Sequence, residues 1–250
     1  MPQRGPRSTL NLASGDAILI TGGGSGLSTE LIKLAYPKYD HLVLIVRNIR
    51  TVIWLEDGSL ESLVDKVTIY ECDLSNDAQV DRLWQEHLAF YAFSAFIHVA
   101  ASFVADDKSF KSIQGVFSIN VFSAWRLTEL LIEKGEVVNV LFVGSVGHKF
   151  GGKRDEWSYS ASKYLLEYFP KFLRECIQQG IQVNTIRLGL MSSRGHKKRG
   201  LSNTELKNRE LLLPSKKMVT ESDAARFIFD SIILAPRFLH NAVIEFTGGE

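Results

Sequence analysis

Seven short apolar runs punctuate this chain, and most of the stretches between them are long enough for helices. The runs are Ala17–Ile20, Leu42–Val46, Val67–Tyr70, Ala95–Val99, Val137–Val143, Ile181–Ile186 and Ala242–Phe246. They are rich in β-branched residues, and several are apolar throughout, as parallel strands buried on both faces must be. Helical patterns cover 25–36, 76–92, 114–134, 158–179 and 220–235. Such alternation builds βαβ units with right-handed crossovers. It predicts an α/β fold, a doubly wound seven-stranded parallel sheet flanked by helices. The stretch 48–66 stays open, because Thr51–Leu55 reads equally as a helix or an edge segment. Pro170 should kink or weaken its helix about three turns in.

Composition narrows the classes. The 250 residues suit one such domain, and 45% hydrophobic with 23% charged residues excludes a disordered chain. A net charge of +1 gives no global case for nucleic acid or a membrane surface as partner. Two cysteines, Cys72 and Cys176, make neither a disulfide framework nor a metal cluster, and six scattered histidines show no metal spacing, so no metal is expected. No apolar run reaches the ~18 residues of a spanning helix. The polar start lacks the apolar core of a secretory signal, and Arg4 and Arg7 read as part of a frayed tail rather than a transit peptide. The expectation is a soluble cytoplasmic protein with a flexible tail over 1–15 and one domain over 16–250.

Directly after the first strand comes Thr21-Gly22-Gly23-Gly24-Ser25-Gly26-Leu27-Ser28, and a helix pattern follows. Glycines in a strand-to-helix turn let the backbone approach a pyrophosphate and aim helix N-terminal N–H groups at its charge. In this position the cluster predicts a single-domain Rossmann architecture that binds a dinucleotide, a plain structural turn being the alternative. An acid at the end of the second strand would bond the ribose 2′-hydroxyl of NAD. Here that strand ends in Arg47-Asn48, and Asp40 lies at its wrong end. Arg47 would pair with a 2′-phosphate, a plain surface arginine being the alternative. The expected cofactor is therefore NADP (NADPH) rather than NAD.

Tyr159 and Lys163 stand one helical turn apart, on one face. A phenol with a pKa near 10 is a poor proton shuttle at neutral pH, and an adjacent ammonium favours the phenolate. Lowering that pKa by about 3 takes about 4 kcal/mol. An ammonium in contact, with a positively charged nicotinamide, would be of that order. On their own, a tyrosine and a lysine on a helix are usually packing and solvation.

Five motifs in order make the chain resemble the short-chain dehydrogenase/reductase family from about residue 16 onward. They are the TGxxxGxG turn at Thr21–Ser28, Asp73-Leu74 after the third strand, Asn120 in a helix, Ser145 ending the fifth strand, and the YxxxK of Tyr159 to Lys163. Val183–Gly189 and the closing Gly248-Gly249 are also similar to family segments. The resemblance implies that Tyr159 is the general acid or base, that Ser145 bonds the substrate oxygen, and that Lys163 lowers the Tyr159 pKa and holds the nicotinamide ribose. It implies that Asn120 holds a water linking Lys163 to solvent, and that Asp73 meets the adenine amino group. Thr21, Gly22, Gly24, Ser25, Gly26, Leu27, Arg47, Asn48, Asp73, Leu74, Ala100, Ala101, Leu188 and Gly189 would line the cofactor with Tyr159 and Lys163. Local alternatives exist: Ser145 as a strand-end turn residue, Asn120 as a mid-helix polar residue, Asp73 as a helix cap.

The chain departs from the family pattern in places. Ser28 replaces the third turn glycine, and it is still small. His98-Val99-Ala100-Ala101 replaces Asn-Asn-Ala-Gly and looks more like the extended members and polyketide ketoreductases. His98 itself reads as a satisfied core residue. Leu188 replaces a proline, which should loosen the turn before Gly189. Fourteen positions separate Ser145 from Tyr159, one more than is common, and a one-residue bulge would absorb the excess. His148, close after Ser145, is a candidate substrate contact.

The segment about 190–219 corresponds to the family's substrate lid. It carries Arg194, Lys197, Lys198, Arg199, Lys207, Arg209, Lys216 and Lys217 against Glu205 and Glu210, and Lys149, Lys153 and Arg154 lie on the same rim. A basic rim suggests a small-molecule substrate that is anionic or carrier-bound, a solvated lid being the alternative. The expected activity is reduction of a carbonyl to an alcohol, or the reverse. A nucleotide-sugar epimerase or dehydratase of the same fold would need more than the residues that follow Gly189. A non-catalytic dinucleotide-binding protein would commonly lose Tyr159 or Lys163. The resemblance further implies a homodimer or homotetramer, paired through the helices about 114–134 and 158–179.

Overall fold

The computed structural model describes residues 13–56, 58, 60–103, 109–135, 137, 139–152, 156–191, 202–234 and 238–250. Seven strands form one parallel sheet: β1 (Ala13–Thr21), β2 (His41–Val46), β3 (Val67–Glu71), β4 (Tyr91–His98), β5 (Asn139–Ser145), β6 (Gln182–Leu188) and β7 (Val243–Phe246). Their order is β3-β2-β1-β4-β5-β6-β7. The winding reverses between β1 and β4, where Thr21 stands opposite His98. Because every strand runs the same way, all seven C-terminal ends share one edge, and open sheets bind ligands at such a reversal.

Side chains alternate along each strand and feed two cores. Ile18, Ile20 and Leu44 join Leu31, Ile32, Ala225 and Ile228 on one face. Leu19, Val43 and Phe96 join Val121, Leu127 and Leu173 on the other. The first face is covered by α1 (Gly26–Ala35), α2 (Ile53–Glu56) and, later in the chain, Glu221–Ile228. The second is covered by α3 (Asp77–Glu86), α4 (Phe110–Phe117), α5 (Ser123–Lys134), α6 (Trp157–Leu165) and α7 (Lys171–Glu175). The basic segment after β6 contributes α8 (Asn203–Leu212), opened by a capping box of Ser202 and Glu205, and Glu221–Ile228 is α9.

Several elements differ from the sequence expectation, each for a local reason. β1 begins at Ala13, inside the stretch assigned to the tail; residues 1–12 lie outside the described ones. The open stretch 48–66 is helical: a 3-10 turn at Ile49–Thr51, then α2, then a second 3-10 segment at Glu61–Lys66. The helix assigned to 76–92 stops at Glu86, and β4 starts at Tyr91. Pro170 does more than kink its helix: α6 ends at Leu165 and α7 restarts after Pro170, which cannot donate an N–H to an uninterrupted helix. Between α4 and α5 the backbone takes one π turn, Ser118–Phe122.

Candidate active site at the sheet reversal

The Gly-rich turn is closed from three sides. Gly22 has φ +69°, a left-handed value, and a Cβ on it would lie 2.7 Å from the Ala100 nitrogen. Only glycine serves there. Gly22 and Gly23 donate N–H bonds to the Ile45 carbonyl at 2.8 and 3.2 Å. From α2, the buried Trp54 donates its Nε1–H to the Gly23 carbonyl at 2.9 Å. Ser28 proves more than small: fully buried, its Oγ donates to the Gly22 carbonyl at 2.9 Å. Ser25 caps α1 by accepting from Ser28 N. Gly26 and Leu27 open that helix, and the Glu221 carboxylate rests on the Gly26 Cα, where a Cβ would be 2.2 Å from Oε2. This glycine cradle, with a helix N-terminus behind it, fits the pyrophosphate of a dinucleotide.

Thr21 is buried at the reversal. Its Oγ1 accepts from Ala100 N at 3.3 Å and meets His98 Nδ1 at 2.9 Å. His98 is a core residue, as expected, and its Nε2 makes no hydrogen bond of normal geometry among the described residues, although the Ile119 and Asn120 carbonyls lie near the ring. Burial first, then the Lys163 charge, pushes its pKa down to about 3, against the pull of the Ile119 and Asn120 carbonyls. It is therefore neutral at physiological pH.

At the end of β2, Arg47 and Asn48 are exposed. Asn48 caps the Ile49–Thr51 turn, accepting from Arg50 N at 2.9 Å. An acid does stand at this corner. Glu71 pairs in register with Val46, and its carboxylate accepts from Ile49 N at 3.0 Å. The second strand's own sequence gave no sign of it; only the β2–β3 register shows it. The Asp73 carboxylate accepts from Ser75 N and Ser75 Oγ at 2.9 and 2.7 Å, so it holds the turn, and the cap of α3 is Asn76. Leu74 is buried in the core, and Ala101 is exposed after Ala100.

Tyr159 and Lys163 lie in α6, Lys163 reaches β5 at Val143, two residues before Ser145, and Asn120 in the π turn reaches α6 at Ser162. Lys163 is buried, and its Nζ donates to the Val143 carbonyl at 2.6 Å while lying 5.8 Å from the Tyr159 ring centroid. Burial pushes this ammonium down to about 7. Phe103 packs against the Tyr159 ring, centroids 4.3 Å apart. Ser145 Oγ accepts from Gly147 N at 3.1 Å, which leaves the hydroxyl proton to donate elsewhere.

The Asn120 side chain is bonded to protein atoms. Its Oδ1 accepts from Ser102 N at 2.7 Å, and its Nδ2 donates to Ser102 O at 3.0 Å and Ser162 Oγ at 2.8 Å. Ser162 Oγ in turn donates to the Tyr159 carbonyl at 2.7 Å. Both amide protons are thus committed to protein atoms, and the π turn is what aims them there. Ser102, Ser162 and Trp54 are site residues that the sequence reading missed.

After β6, Gly189 packs on Thr247, where a Cβ would be 2.5 Å from the carbonyl oxygen. The missing proline at Leu188 is compensated. Leu188 lies in the ladder between Ser145 and Phe246, Gly189 N bonds Phe246 O, and Leu190 N bonds the Glu250 side chain at 2.8 Å. Of the basic rim, Arg194, Lys197, Lys198, Arg199, Lys153 and Arg154 lie outside the described residues. Lys149 pairs with Glu245 at 3.0 Å, Lys217 stands 4.0 Å from Asp223, and Lys216 bonds the Leu211 carbonyl.

A family model described as short chain dehydrogenase matches residues 16–203. The chain belongs to the short-chain dehydrogenase/reductase family. Among its relatives in that oxidoreductase family, a fatty acyl-CoA reductase from Acinetobacter baylyi is 23% identical over 71% of this chain. This family member spans 63% of that protein's length. Its fold is shared with a 4-hydroxyisoleucine dehydrogenase complexed with NADH (TM-score 0.77, 19% identity, 94% of this chain and 98% of the other). It is shared equally with ElxO with NADP bound (TM-score 0.75, 14% identity, 94% and 98%). No helix among the described residues is long and apolar enough to cross a membrane.

Proposed function

We propose that this chain is an NADP-dependent oxidoreductase that interconverts a carbonyl and an alcohol. The observation that carries the reading is the buried Lys163, bonded to the Val143 carbonyl of β5 and lying over the Tyr159 ring. A bound nicotinamide dinucleotide would supply or accept the hydride. Tyr159 holds at Oη the proton that the substrate oxygen takes, and receives it back in the alcohol-to-carbonyl direction. Lys163, poised near neutrality, returns that proton by changing its own protonation state. Ser145 donates its free hydroxyl proton to the oxygen where charge develops. Asn120 holds Ser102 and α6 at fixed spacing, so it acts on Tyr159 through Ser162.

Arg47 at the end of β2, where the adenosine ribose of a bound dinucleotide would lie, supports NADP, and Glu71 at the same corner opposes it. The basic lid and the acyl-CoA reductase relative together support a carrier-bound acyl substrate. The test is NADPH consumption with hexadecanal, hexadecanoyl-CoA and a phosphorylated ketone. Tyr159→Phe should lower turnover by about 10²–10⁴-fold while NADPH still binds. Turnover equal to wild type would remove Tyr159 from the mechanism.

A further inference from the structure

His148 lies three positions past Ser145, in the 3-10 turn Val146–Phe150. Its side chain is nearly buried. Nδ1 stands 2.7 Å from the Ser145 carbonyl oxygen and 3.5 Å from Glu167 Oε1. Both neighbours are acceptors, so Nδ1 carries the proton and donates it. The ring packs against Tyr164, centroids 5.4 Å apart.

The acceptor opposite is itself held. Arg187 grips Glu167 through two parallel bonds, Nε to Oε1 and Nη2 to Oε2, both 2.6 Å. Such forked pairs fix geometry as well as charge. Arg187 stands opposite Gly144 in the β5–β6 ladder, one residue before the Leu188–Ser145 pair. Its Nη1 also bonds Glu245 in β7, and Glu245 pairs with Lys149, the neighbour of His148. The turn that follows Ser145 is thereby tied to the segment just past α6, to β6 and to β7.

We infer that His148 is a positioning residue, which fixes Ser145 by donating from Nδ1 to its carbonyl while the Glu167–Arg187 pair holds the ring in place. The inference rests on the proposed role of Ser145, and the experiment separates the two.

In the full chain, kcat and KM are measured for wild type, His148→Leu, His148→Asn, Ser145→Ala and the double variant S145A/H148L. The substrate is the carbonyl compound of the panel with the highest kcat/KM. His148→Leu should lower kcat about tenfold or more with KM little changed, since misplacing a catalytic hydroxyl costs turnover rather than binding. Asparagine places an N–H near the position of Nδ1, so His148→Asn should recover most of the loss. In the Ser145→Ala background, His148→Leu should cost nothing further, because its effect passes through the missing hydroxyl.

A wild-type kcat in His148→Leu, an equal loss in both backgrounds, or no recovery with asparagine overturns the proposal. Full activity in Ser145→Ala overturns the Ser145 role and this proposal with it. An inactive Ser145→Ala beside a fully active His148→Leu overturns this proposal alone. Independently of any variant, ¹⁵N resonances of the His148 ring should show the proton on Nδ1. The tautomer protonated at Nε2 alone would refute the inference.

Discussion

Lys163 shows how much one buried charge determines. Its ordinary pKa of 10.5 falls to about 7 in the fold. Between those values an unfolded chain holds the proton and the folded one has released it, so unfolding takes up a proton and stability rises with pH. Below about 7 both states are protonated, and the buried ammonium carries its full penalty. Lys163→Met should therefore gain most over wild type near pH 7 and progressively less toward pH 10, read as paired thermal midpoints. Parallel curves would mean that Lys163 does not titrate there. The ribose corner offers a second test. Arg47→Ala should weaken NADPH about tenfold with little change for NADH, the size of one charge-assisted bond lost at the surface. Glu71→Gln keeps an acceptor for Ile49 N but removes the charge, so it should shift preference toward NADPH. Fluorescence titration of both cofactors decides, and a wild type that prefers NADH would reverse the cofactor reading.

Among the elements, the Gly-rich turn and the π turn place the chemistry. Gly22→Ala adds a Cβ against the Ala100 backbone at a left-handed φ. It should cost about 1–3 kcal/mol in thermal melts and weaken cofactor binding as well. Gly115, in α4, is the control, since a Cβ there meets nothing within 4 Å. Gly115→Ala should stabilise by up to about 1 kcal/mol. If both variants melt alike, the strain argument at Gly22 fails. The turn was legible in the sequence because glycines after a buried strand are a local signal. The π turn was not. It is one extra residue within a helix whose apolar pattern continues on both sides, and only the packing of Asn120 against Ser102 and Ser162 shows why it is there. The 3-10 turn holding His148 was hidden for the same reason, as Glu167 and Arg187 are distant in sequence.

Taken whole, the molecule leaves aromatic rings exposed on the second face: Phe122 beside α5, Trp157 and Tyr164 in α6, and Tyr168 just past its end. Exposed apolar patches of this kind mark contact surfaces, and they lie on the helices through which the family resemblance implies pairing. A homodimer or homotetramer is the expected state in light scattering, and Tyr168→Asp should shift it toward monomer. A wild type that stays monomeric at micromolar concentration would remove the expectation. The number of strands, their parallel sense, the cofactor turn and the Tyr159–Lys163 pair were all determined by the sequence alone. Each is written in periodicity or spacing within a few residues, where backbone geometry leaves little choice. What only the tertiary structure decided is what those residues touch: Glu71 at the ribose corner, Trp54 under Gly23, Asn120 on Ser102, His148 behind Ser145. These contacts follow from strand register and helix packing, which join positions tens of residues apart and leave no local pattern in the chain.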